Sequence, residues 1–171
     1  MIAPSERLAE LGLTLPAVAA PLAAYVPAVR TGNLVYSSGQ LPTVDGQLVA
    51  VGRVGAEVTA ELGADCARVA VLNGLAAVAA EAGGLDAVIR VVKVVVFVAS
   101  TPDFTSHPQV GNGASQLLAE IFGTAGEHAR SAVGVASLPL DAPVEVELIV
   151  EVTSTPSVQP VQSEGSGPVA V

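Results

Sequence analysis

The stretch His128–Val150, HARSAVGVASLPLDAPVEVELIV, decides the fold. It reads as two strands joined by a turn at Leu138-Pro139-Leu140-Asp141. Strand side chains alternate between faces. Val144, Val146, Leu148, Val150 and Val152 therefore share one side, and Glu145, Glu147, Ile149 and Glu151 share the other. In the first strand Arg130 lies on the same side as Ala132, Gly134 and Ala136, all small. One sheet face is oily. The other is expected to carry an arginine beside empty space, with carboxylates one hairpin away. Such a place holds a small anion, or another subunit.

Working outward, Val88–Ala99 (VIRVVKVVVFVA) is apolar enough for a central strand buried on both faces. Glu57–Ala82 repeats Val58, Leu62, Cys66, Val69, Asn73 and Ala76 at helical spacing and stops at Gly83-Gly84. Gly113–Phe122 reads as a second helix, with Asn112 as its N-cap or as a site residue. Nearer the N-terminus, Tyr25–Arg30 and Leu34–Ser38 are strands around a Thr31-Gly32-Asn33 turn, and Leu41–Gly55 is a loop turning at Asp45-Gly46. A short helix, Glu6–Leu11, is capped by Ser5. The order is β-β-α-β-α-β-β. Both helices are expected on one face of one mixed sheet, an α+β architecture. The other face keeps Ile149 and valines such as Val133 or Val35, with no chain left to cover it. Self-association is the economical answer.

Residues 1–24 read as an N-terminal extension, 25–153 as the folded domain and 154–171 as a disordered tail of Pro, Ser, Gly and Gln. Of the 171 residues, 51% are hydrophobic and 3% aromatic, so the core must be built from many small contacts. Sixteen acids against seven bases give a net charge of −9, and the bases are scattered. Phosphate backbones need clustered Lys and Arg, so neither nucleic acid nor an anionic membrane is an expected partner. Cys66 is the single cysteine and reads as a buried inert thiol. No basic-apolar signal segment opens the chain, and a cytoplasmic protein is expected. His107 and His128 have no metal-ligand spacing around them.

Several pieces together resemble the YjgF/RidA family of small trimeric imine deaminases, which also carries an endoribonuclease name. They are Tyr25, Gly32–Pro42 (GNLVYSSGQLP), Val94–Val98 followed by Asp103-Phe104, Ala129–Val133 (ARSAV), Leu138-Pro139 and Val144–Glu147 (VEVE). The stretches HPQVGNGAS and GEHARSAVGV mark a distinct branch. The resemblance implies a chorismate-mutase-like subunit, three of which pack sheet to sheet with clefts between them. It implies that Arg130 binds a substrate carboxylate and Glu145 assists water. Tyr25, Ser38, Gly39, Asn112 and Ala132 would line the cleft, although many relatives carry Cys at the last position.

The implied reaction is hydrolysis of a 2-imino acid to a 2-oxo acid and ammonia, of the 2-iminobutanoate/2-iminopropanoate deaminase type. A guanidinium suits the carboxylate, which it can grip through two parallel hydrogen bonds. A carboxylate can take a proton from water. No metal or cofactor is required. Duller readings stand beside these. Arg130 pairs with Glu145 or Glu147 across the hairpin; Ser38 serves a turn; Tyr25 packs a loop. At the level of function the alternatives are a non-catalytic sensor of small carboxylates and, against the acidic charge balance, an RNase.

Overall fold

The computed structural model describes residues 2–18 and 24–154, so the expected tail lies outside the described residues apart from Ser154. The valine-glutamate alternation that opened the reading becomes β7 (Val144–Val152), in which every second residue is buried. Five strands form one sheet in the order β1 (Ala28–Thr31), β2 (Leu34–Ser37), β7, β5 (Val88–Ala99), β6 (Ala129–Val135). All neighbours are antiparallel except β5 and β6.

The expected hairpin between the two strands of the opening stretch does not form. β5 lies between β6 and β7 and pairs with both. The reason is α3 (His107–Phe122), which carries the chain from the end of β5 back to its start. That return makes β6 run parallel to β5. Leu140 and Asp141, at φ 58° and 60°, then bend the chain past the end of β5. It returns as β7 on the other side.

Two helices cover one sheet face. α2 (Ala60–Ala82) begins at Thr59, whose hydroxyl accepts the Leu62 N–H at 3.2 Å. It ends at left-handed Gly83, φ 85°. Its buried stripe is Gly63, Cys66, Ala67, Ala70, Val71, Gly74, Ala77 and Val78. Small side chains let this helix lie close to the sheet; a methyl on Gly74 would stand 3.0 Å from Leu148 Cδ1. α2 is long and apolar enough to cross a membrane, but most of it is buried in the fold. α3 begins at His107 rather than at Gly113, so Asn112 lies within the helix and does not cap it. Gly113 is required by packing, because a Cβ there would overlap the Ala64 carbonyl of α2.

Smaller differences have local causes. α1 (Pro4–Glu10) is preceded by Ala3, and Ser5 instead donates its N–H and hydroxyl to the Asp86 carboxylate at 2.8 and 2.7 Å. The loop after β2 contains a small hairpin, β3 (Thr43–Val44) and β4 (Gln47–Leu48), turning at Asp45 and Gly46 with φ 50° and 77°.

The core lies between helices and sheet. Val91, Val94, Val96, Val98, Val146, Leu148 and Val150 are fully buried there. Each such side chain contributes about 1.5–3 kcal/mol. Val35 belongs to this layer and not to the open face. β5 is central but not buried on both faces; Val95 and Phe97 remain partly exposed on the uncovered side. That side also carries Val29 (52% exposed), Tyr36 (40%) and Val133 (44%), with Ile149, Lys93, Glu145 and Glu147.

Candidate functional site

Strand register fixes where the chemistry lies. Arg130 is level with Val94 and, across β5, with Leu148, both buried under the helices. Glu145 is level with Phe97 and Val133 on the uncovered face. Arg130 and Glu145 therefore occupy opposite faces of the sheet. The Arg130–Glu145 or Arg130–Glu147 ion pair across a hairpin is absent, and the arginine does not share the carboxylates' face.

Arg130 instead meets α3. Pro108, Gly111, Asn112 and Ser115 recur at helical spacing and form one stripe over β6. Nη1 of Arg130 donates to Asn112 Oδ1 at 2.9 Å and to Ser115 Oγ at 3.0 Å; Nη2 donates to the Pro108 carbonyl at 3.2 Å. A methyl on Gly111 would stand 3.4 Å from Arg130 Cζ and 3.3 Å from Ala132 Cβ, so the guanidinium lies close against bare backbone. A guanidinium has five N–H donors. Among the described residues, Nε–H and one N–H of Nη2 have no protein partner. All the partners it does have are neutral. The ion pairs among the described residues, Arg7–Glu10 and Arg68–Glu120, lie elsewhere. No described residue supplies a counter-ion to Arg130.

The second group forms around Gly39. The Glu145 carboxylate packs so closely on Gly39 that a Cβ there would overlap Oε1. Burial, and then the like charge of Glu147, raise the Glu145 pKa above the ordinary value of 4.5. Among the described residues this carboxylate makes no hydrogen bond or ion pair. Ser38 donates its hydroxyl to the Val26 carbonyl at 2.6 Å, which ties the loop carrying Tyr25 to the end of β2. Tyr25 and Gly39 border a cavity of about 540 Å³, with Gln40, Leu41, Asn73 and Leu140 among its walls. The Asn73 amide nitrogen donates to the carbonyls of Leu41 and Thr43 at 2.9 and 3.0 Å and so shapes that wall.

The seven residues singled out in the sequence thus form two groups: Arg130, Asn112 and Ala132 at β6 and α3, and Tyr25, Ser38, Gly39 and Glu145 around the start of β7. No protomer joins them. Ser115 and His128 were not singled out. For Ser115 the signal is the Pro108/Gly111/Asn112/Ser115 spacing, which a helix starting at Gly113 leaves incomplete; for His128 the sequence carries none. Among the described residues no group of three His, Cys, Asp or Glu could hold a metal ion. Burial pushes the Cys66 thiol up to about 11, with Asp65 adding to the shift, so it is a poor nucleophile.

A family model described as "YjgF/chorismate mutase-like, putative endoribonuclease" matches residues 5–152. The chain belongs to this YjgF family. Protein TCP17 of Trypanosoma cruzi is 46% identical, the alignment covering 88% of this chain and 94% of that protein. The crystal structure of Atu1372, a protein of unknown function from Agrobacterium tumefaciens, is 45% identical with a TM-score of 0.82, over 88% of this chain and 94% of that one. A 2-iminobutanoate/2-iminopropanoate deaminase of Dermatophagoides farinae is 35% identical, over 81% of this chain and 93% of that protein. Membership of the YjgF family and the chorismate-mutase-like fold are thereby established, with the mixed sheet and one-sided helices as expected.

Proposed function

We propose that this chain is a cytoplasmic, homotrimeric hydrolase that converts reactive 2-imino acids to 2-oxo acids and ammonia in clefts between protomers. The observation that carries the reading is the separation of Arg130 and Glu145 onto opposite sheet faces. Among the described residues each group lacks what the other supplies: one is a cation without a counter-ion, the other a carboxylate without a donor. Packing the uncovered face, with Val29, Tyr36 and Val133, against the β6 edge of a second copy buries apolar surface and lets the two groups meet.

In this mechanism the substrate carboxylate lies on Nε–H and Nη2–H of Arg130, which orients the adjacent C=N carbon. Glu145 of the neighbouring chain takes a proton from water as the oxygen attacks that carbon. That proton passes to nitrogen, giving a tetrahedral hydroxy-amine; its hydroxyl proton then moves to nitrogen by way of Glu145 as the C–N bond breaks and the C=O bond forms, and 2-oxo acid and ammonia leave. A carboxylate with a raised pKa is a stronger base than an ordinary one, and such proton transfer contributes about 10²–10⁴-fold. The similarity to the Dermatophagoides deaminase supports this chemistry over RNA cleavage, as does the net charge of −9. Ammonia release from a freshly generated 2-imino acid, compared with buffer alone, tests the reading. A rate no faster than buffer, together with thermal stabilisation by 2-oxo acids, would replace it with a metabolite sensor.

A further inference from the structure

The branch-specific stretches HPQVGNGAS and GEHARSAVGV meet in one hydrogen-bonded chain behind Arg130. Arg130 Nη1 donates to Ser115 Oγ at 3.0 Å, Ser115 Oγ lies 3.0 Å from His128 Nε2, and His128 Nδ1 lies 2.6 Å from the Gly126 carbonyl. Both ends have a fixed sense. Arginine can only donate and a carbonyl can only accept. His128 therefore carries a proton on Nδ1, and in the neutral imidazole Nε2 accepts from the Ser115 hydroxyl. The serine then has one job in each direction. It accepts from the guanidinium and donates to the imidazole, and its proton and the lone pair facing Arg130 cannot rotate away.

We propose that Ser115 and His128 are positioning residues that set the orientation of Arg130 for a small monocarboxylate, such as a 2-oxo or 2-imino acid. The inference rests on the assignment of Arg130 as the carboxylate anchor. Three of the five N–H groups are spent on Asn112, Ser115 and Pro108, so the side chain has lost its rotamer freedom before the ligand arrives. The two remaining N–H groups are offered in one fixed direction. Ordering a long side chain on binding weakens affinity, and this cradle makes that ordering part of folding. Gly111 and Ala132 leave the space the pose needs. Asn112 and the Pro108 carbonyl alone hold the guanidinium at one edge. The Ser115–His128 arm fixes the second Nη1 hydrogen and with it the tilt of the plane.

The test measures Kd for 2-oxobutanoate, deaminase kcat and KM, and Tm, in the full chain. The variants are Arg130→Ala, Ser115→Ala, Ser115→Thr, His128→Ala and His128→Gln. Arg130→Ala should raise Kd by about 100-fold. Ser115→Ala and His128→Ala should each raise Kd and KM about tenfold and change kcat by less than about threefold, because the lost interaction anchors ground and transition states alike. Ser115→Thr keeps the hydroxyl, and His128→Gln presents an amide oxygen to Ser115; both should bind within about threefold of wild type. The two pairs probe the chain from opposite ends, so one remains informative if a variant of the other folds poorly. If Arg130→Ala loses binding while Ser115→Ala and His128→Ala keep wild-type Kd and lose only Tm, the arm is structural and the inference fails alone. If Arg130→Ala binds as wild type does, the anchor reading fails and takes this one with it. Binding that follows the expected pattern without turnover removes the deaminase and leaves the positioning role standing.

Discussion

The two sheet faces present opposite solutions to holding a charge. On the helix-covered face, Arg130 is gripped by three hydrogen bonds from its own protomer and by the bare backbone of Gly111. On the uncovered face, Glu145 has close packing against Gly39, no hydrogen-bond partner among the described residues and a raised pKa. One group is pre-organised at the cost of three donors. The other is left discontented, which makes it a better base. The lesson is that one sheet can hold a cation in a ready-made set of hydrogen bonds on one face and keep a carboxylate under-solvated on the other; the proposed roles of anchor and base would draw on that difference.

The comparison breaks most completely if the uncovered face is spoiled. Val133→Glu puts a third carboxylate beside Glu145 and Glu147 on an exposed position, so the protomer should fold, but the chain should run as a monomer by light scattering with all activity lost. Glu145→Gln keeps the shape and removes the base. Its kcat/KM should fall by about 10²–10⁴-fold. The same variant sharpens the electrostatic contrast. The folded protein holds the Glu145 proton more tightly than the unfolded chain, so folding takes up a proton. Stability then falls as pH rises from the ordinary glutamate range through the raised pKa. Glu145→Gln should therefore have a higher Tm than wild type at pH 7 and lose that advantage below pH about 4. Deaminase activity of the wild type should rise with pH to a plateau, with a midpoint above 4.5.

Arg130→Ala should lower kcat/KM by about 10–100-fold, the worth of a charge-assisted pair of hydrogen bonds. Gly39→Ala is the mildest. Its methyl meets the flexible end of Glu145, and moving that carboxylate should cost about three- to tenfold in kcat with little change in Tm.

Much of this contrast was legible in the sequence. The alternation in Val144–Val152 assigned each residue to its correct side, and the apolar run at Val88–Ala99 marked the strand it packs beside. What periodicity does not contain is which strands are neighbours. Leu138–Asp141 looks like a hairpin turn because its residues suit a tight bend; that the bend skips β5 depends on α3 having reversed the chain beforehand. The same gap hid the arginine's face. Arg130 was grouped with the right neighbours, Ala132 and Gly134, but which face that set occupied follows from pairing to Val94 and Val96. The early turns of α3 were obscured for another reason. Gly111 and Gly113 are poor helix formers; a Cβ at Gly113 would overlap the α2 backbone, and one at Gly111 would crowd Ala132 at 3.3 Å and touch the guanidinium at 3.4 Å. Propensity therefore argued against the segment that builds the anion cradle.

Subunit complementation tests the central claim most directly. Arg130→Ala and Glu145→Gln chains, each strongly impaired alone, are unfolded together, refolded as a mixture and assayed for ammonia release. If a site takes its arginine from one chain and its glutamate from the next, random mixing leaves about a quarter of the sites intact, and about that fraction of wild-type activity returns. Activity no greater than that of the two parents, from a mixture shown to contain mixed oligomers, would contradict a site shared between chains.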